Sequence, residues 1–140
     1  MHHPKITENM VTEMNIGWKL KLAALWTSFM FLYIYVDYFA LYMPGKIDGI
    51  LKGQIFVFDI SEVFLLIALV SVSIPAIMIA LSVVLPSKAN RLCNMLVAAL
   101  YIPYSLFNLA GEHWPHMLFG AAVEVGILLL IMRLAWKAGV

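Results

Sequence analysis

The sequence predicts an all-α fold, an antiparallel bundle of four transmembrane helices. Of its 140 residues, 64% are hydrophobic and only 12% are charged. A soluble domain carries about a quarter charged residues. The mean hydropathy is +0.93. The apolar residues also fall into four long stretches parted by proline and glycine turns, and each stretch is long enough to cross a bilayer. A soluble chain of this composition would expose large apolar patches and aggregate, whereas lipid removes that problem.

Residues 1–17 mix polar and apolar side chains and fit a cytoplasmic tail or an interfacial helix. The first span covers residues 18–43 and stops at Pro44-Gly45. At the helical rise it is about 39 Å long, enough to cross a core of about 30 Å with some tilt. It is too long for the core of a signal peptide and has no small-residue cleavage site at its end. Residues 44–53, with three glycines and a proline, read as a loop. An extended or interfacial entry through 54–58 leads to the second span, 59–85, which Pro75 kinks. Pro86-Ser87 makes the turn, with Ser87 as a candidate N-cap. The third span is 88–110 and carries Pro103. A short turn over 111–115 precedes the fourth, 115–137, which Pro115 suits as a first helical residue. The tight turns predict that the second and third spans, and the third and fourth, pack as antiparallel neighbours. The chain thus reads as one transmembrane domain, 18–137, with no separate soluble domain.

Lysine and arginine set the expected orientation. Lys5, Lys19, Lys21, Lys88, Arg91, Arg133 and Lys137 fall on one side, and Lys46 and Lys52 on the other. The positive-inside rule places both termini in the cytoplasm of a bacterial inner membrane. Trp114 and Tyr42 fall at the outer interface, and Trp18, Trp26 and Trp136 at the inner one, as aromatic belts do.

Candidate site residues are the polar groups at membrane depth, which are costly in lipid. Asp37 lies inside the first span with Tyr33 one turn earlier on the same face. Asp59 and Glu62 open the second span, three apart. The third span carries a polar stripe of Asn90, Asn94, Tyr101, Tyr104, Ser105 and Asn108, extended by Glu112. Asn94, Ser73 and Ser105 read as groups that bind helices together, and Asn90 and Arg91 belong to a basic cytoplasmic turn. Glu124 lies inside the fourth span, with Gly120 one turn earlier. These depths predict an acidic, tyrosine-lined cavity open to the outside, with Asp37 and Glu124 as its leading residues. A carboxyl there has no Lys or Arg at matching depth, so it can donate a hydrogen bond, carry a proton or attract a cation.

Other chemistry finds little footing. His113 and His116 flank Trp114-Pro115 and read as interfacial residues, so no metal is assigned, and the cofactor is unknown. The single cysteine, Cys93, reads as a packed small residue. Walker, HExxH, CxxC and GxSxG motifs are absent, which excludes an ATPase or a two-cysteine oxidoreductase for this chain alone. A net charge of +1 gives no reason to expect nucleic acid.

Three segments carry a family resemblance: LWTSFMFLYIYVDYFALYMPG around Asp37, VVLPSKANRLCN at the turn with Asn90 and Arg91, and the closing RLAWK of 133–137 after Glu124. In these the chain resembles a family of small, uncharacterised four-span bacterial membrane proteins. In size and topology it is also loosely similar to DoxX-like proteins, a likeness that implies no activity. Three functions are compatible with the residues. One is a protein that binds or transports a small solute, proton-coupled through Glu124, working as a homo-oligomer because four spans make a thin wall. The second is an accessory subunit of a larger membrane complex. The third is a membrane enzyme using paired carboxyls for proton transfer on a lipid-like substrate. Membrane lipid is the one partner common to all three.

Overall fold

The computed structural model describes residues 4–55, 57–111 and 114–138, with side chains from residue 17 onward. The fold is helical throughout, apart from one small ribbon. Helix α1 runs Pro4–Ala40 without a break, 37 residues or about 55 Å. The helix therefore begins well before the expected start at residue 18. No proline follows Pro4 within the helix, and Gly17 alone costs only about 1 kcal/mol there. It ends at Ala40 and not at 43. The amides of Leu41, Tyr42 and Met43 bond three residues back in tightened turns, at 3.2, 3.1 and 3.1 Å, before Pro44 withdraws its donor.

The expected loop over 44–53 contains a short helix, α2 (Lys46–Leu51), entered through Gly45 at φ 82°. Gly53, at φ 78°, turns the chain into an antiparallel ribbon of β1 (Gln54–Ile55) and β2 (Phe58–Asp59). Asp59 thus belongs to the ribbon, and α3 (Glu62–Val84) starts three residues later than expected. Ser61 fixes that start, its hydroxyl accepting from the Phe64 amide at 3.1 Å.

Helix α4 (Ser87–Phe107) is capped by Pro86, so Ser87 is its first residue and not its N-cap. Helix α5 (Pro115–Lys137) has the expected bounds, with Pro115 in its first turn. Glu112 and His113 lie outside the described residues.

Three helical stretches, Gly17–Ala40, Glu62–Val84 and Pro115–Lys137, are long and apolar enough to cross a membrane. The chain is a multi-pass membrane protein. Helix α4 falls short of that apolarity because its buried face, apart from Ala98, is polar: Asn90, Asn94, Tyr101 and Ser105. Its exposed face carries Leu92, Leu96, Leu100, Leu106 and Phe107.

The main helix pairings are α4 with α5, α1 with α3, and α1 with α5. Helices α3 and α4, expected to pack as antiparallel neighbours across their tight turn, do adjoin, but their backbones approach at few points. Long polar side chains bridge them instead. Two ends orient the description: the Pro86 end, with the α3–α4 turn, and the Gly111 end, with the α4–α5 turn.

Candidate functional site

The interior is built in three layers, and prolines organise two of them. A proline has no amide to give the carbonyl four residues before it. Pro86 thus frees the carbonyl of Ser82, and the Asn90 side chain donates to it. Pro75 frees the carbonyl of Ser71, and the Tyr101 hydroxyl donates to it. Of the α4 side chains that reach α3, Asn90 and Tyr101 are the two that satisfy carbonyls the prolines leave open.

Around Asn90 the layer nearest the Pro86 end is closed. Asn94 Nδ2 donates to the Asn90 carbonyl at 2.8 Å and to its side-chain oxygen at 2.6 Å. Asn94 Oδ1 accepts from Trp26 Nε1 at 2.7 Å and from the Ser82 hydroxyl at 3.2 Å. Trp26, Ser82, Asn90 and Asn94 are all fully buried. Trp26 is therefore a core residue tying α1 to α4 and not part of an interfacial belt. Below this network, Lys19 Nζ caps α3 by donating to the Leu85 carbonyl at 2.6 Å. The Arg91 guanidinium lies 5.3 Å from the centre of the Trp136 ring, joining α4 to α5.

A middle layer is apolar. Phe29, Met30, Pro75, Met78, Ala98 and Leu128 are buried there. Ala98 sits in the gap between Asn94 and Tyr101, so the polar stripe of α4 is interrupted at mid-height.

The third layer lies toward the Gly111 end. The Tyr33 hydroxyl donates to that of Tyr104 at 3.3 Å, with the rings stacked 6.4 Å apart. Tyr104 in turn lies 3.1 Å from the Ser71 hydroxyl, which donates to the Ala68 carbonyl at 2.7 Å. Each hydroxyl has one proton, so the chain of donors runs from Tyr33 through Tyr104 and Ser71 to Ala68. Beside it is a crevice between α1, α4 and α5, lined by Tyr33, Val36, Asp37, Ser105, Asn108, Leu109, Met117, Ala121 and Glu124. Its free space is about 10 Å³, the room of a single water, so it is a crevice and not an open acidic cavity.

Glu124 is 3% exposed and lies beside Ser105 and near Asp37. Ser105, 1% exposed, has no hydrogen-bond partner for its hydroxyl, which lies beside the Glu124 carboxyl. Asp37 and Asn108 are exposed at the rim. Gly120 sets how near the walls stand: a Cβ there would collide with Val36, so α1 and α5 meet at this point. Of the two uses open to Gly120 from sequence, close approach is the one found.

Beyond the crevice, at the Gly111 end, an open groove of about 420 Å³ is lined by Phe39, Tyr42, Met43, Trp114 and His116. The Tyr42 hydroxyl pairs with that of Tyr38 at 2.7 Å. The His116 Nε2 atom is buried without a hydrogen-bond partner.

Of the expected site residues, the fold brings Tyr33, Asp37, Asn108 and Glu124 to one crevice, with Tyr104 and Tyr101 behind it. Asp59 and Glu62 are not joined to it. Both are exposed, Asp59 facing Gln54 across the ribbon and Glu62 in the first turn of α3. Asn90 and Arg91 lie in the opposite end of the bundle. Reasoning on the sequence missed Ser71 and Ser82, whose signal was a proline four residues later. It treated Ser105 as mere helix binding, and its place one turn before Asn108 on the stripe was the only hint of more.

Fold and interior together define a small polytopic helical protein with a polar core. The chain belongs to the family DUF6326, a family of unknown function, which matches residues 10–139. No curated protein and no solved structure matches it.

Proposed function

We propose that this is a four-span protein of the bacterial inner membrane that binds a small solute or a proton at Glu124 and moves it as part of an oligomer. The carrying observation is Glu124, a residue only 3% exposed, with no Lys or Arg lining its crevice and an unpaired serine hydroxyl beside it. A structural carboxyl would be expected to have its oxygens tied into the surrounding bonds.

Helix α4 brings the count of spans to four in this reading. Its stripe faces the interior and its lipid-facing side is leucine-rich, which explains why its average apolarity is low. The distribution of seven basic residues against two supports a cytoplasmic Pro86 end, with both termini on that side. The crevice then opens outward, and the apolar middle layer with the closed asparagine network seals the inner half. One chain therefore offers a site with access from one side, and passage across the membrane requires a rearrangement or a second copy.

A second reading, an accessory subunit, draws on α3. That helix buries only Pro75, Met78 and Ser82 within the chain, so another protein has room to pack on its apolar face. The enzyme reading has least support, because a crevice the size of one water does not admit a lipid-like substrate. The likeness to DoxX-like proteins adds no activity to any of these.

The test is infrared titration of the carboxyl band in lipid nanodiscs, with Glu124→Gln as reference. A band that is lost in the variant, and that shifts with pH or an added cation, supports the site. A Glu124 band that never responds removes it and leaves the accessory-subunit reading in front.

A further inference from the structure

The crevice and the groove follow one another along the α1–α5 seam. On α1 the lining passes from Val36 and Asp37 to Phe39, Tyr42 and Met43; on α5 it passes from Met117 to the adjacent His116 and then Trp114. The two spaces differ in size and chemistry. The deep one has room for about one water and is lined by the buried Glu124 and the unpaired Ser105 hydroxyl, with Asp37 at its rim. The outer one is about 420 Å³, walled by aromatic faces, with the unpaired Nε2 of His116.

We propose that this seam binds a primary amine in its protonated form, with the ammonium group in the crevice and an apolar, ring-bearing body in the groove. The proposal rests on Glu124 being a binding group and adds the class of ligand. Three features select it. An –NH3⁺ group is close to a water in size, so it fits where a trimethylammonium does not. Its three N–H donors match the acceptors present, the carboxylates of Asp37 and Glu124 and the oxygen of Ser105. The rings of Phe39, Tyr42 and Trp114 offer apolar contact, and their negative faces favour a cation on its way in. Neither lining contains a Lys or Arg to repel it. Tyr42 is held by its hydroxyl bond to Tyr38, so the groove is in part set before a ligand arrives.

The experiment is calorimetric titration of the protein in phosphatidylcholine nanodiscs with phenethylamine, against empty nanodiscs to subtract partition into lipid. The comparison ligands are its N,N,N-trimethyl analogue, the neutral alcohol 2-phenylethanol, and methylamine. Saturable binding of phenethylamine is expected, weakened at least about tenfold by Glu124→Gln and about threefold by Trp114→Leu. The trimethyl analogue and the alcohol should bind at least about tenfold more weakly to the unaltered protein, which keeps the test independent of whether a variant folds. Equal binding of the trimethyl analogue overturns recognition of the N–H group. Methylamine binding as tightly as phenethylamine, lost in Glu124→Gln but indifferent to Trp114→Leu, overturns the groove while the acid-site reading survives. No saturable binding of any amine, with the Glu124 infrared band still responsive to pH, overturns the amine proposal and again leaves the acid site. An unresponsive band removes both.

Discussion

The two polar layers of the interior are made of similar residues and are finished differently. Near the Pro86 end, Trp26, Ser82, Asn90 and Asn94 are fully buried and bonded to one another. Near the Gly111 end, Ser105 is as deeply buried, but its hydroxyl has no hydrogen-bond partner, and the Glu124 carboxyl lies beside it. A network with every group satisfied holds helices in one arrangement. A network with groups left open costs stability and keeps a place for something else. Burial alone does not separate the two cases; the count of satisfied donors and acceptors does.

The largest effect should come from the closed layer. Asn94→Leu removes the acceptor of Trp26 and Ser82 and both bonds to Asn90. It should destabilise the bundle by about 2–3 kcal/mol in reversible unfolding from bicelles. A loss no greater than that of an average surface variant would end the comparison. Next comes the wall of the crevice. Gly120→Leu drives a side chain into Val36 and should cost about 1–3 kcal/mol, with Val36→Ala in the same chain restoring most of it.

Smaller, but sharper, is the pairing of Tyr101 with Pro75. Tyr101→Phe should cost about 1 kcal/mol by leaving the Ser71 carbonyl open. In a Pro75→Ala background that carbonyl regains a helical amide, and the tyrosine change should then cost close to nothing. A double-mutant cycle measures this directly. The least effect on stability is expected from Glu124→Gln, within about 0.5 kcal/mol or slightly stabilising, since a buried carboxyl is exchanged for a neutral amide of the same shape. A loss matching that of Asn94→Leu would place Glu124 among the structural groups and remove the contrast.

The sequence made much of this legible. Composition required lipid, Pro44, Pro86 and Pro115 marked helix limits to within a few residues, and the α4 stripe was visible as a periodicity. The depths of Tyr33, Asp37, Asn108 and Glu124 were legible, but not which faces turn together: Asp59 and Glu62 were placed at the same depth and stand apart from the crevice. What was not legible depended on partners distant in sequence. Trp26 reads as a belt residue until Asn94 is seen 2.7 Å away. Asp59 and Glu62 read as span residues because Asp59-Ile60-Ser61 carries no proline or glycine, and only the ribbon and the Ser61 cap reveal that the helix starts later. The size of the crevice is fixed by one glycine against one valine, a distance that no pattern in either helix encodes.

The prolines of α3 also bear on how the chain enters the membrane. Helix α3 is long and apolar enough to cross a membrane, yet its Ser71 and Ser82 carbonyls lack helical amides. Helix α4 brings the donors, but its two asparagines and its tyrosines make it a reluctant passenger by itself. Each carries what the other lacks, and the Pro86 turn delivers the second within a few residues of the first. The pair is suited to partition as a hairpin. On the four-span reading proposed above, α3 is the surface that makes entry of α4 favourable.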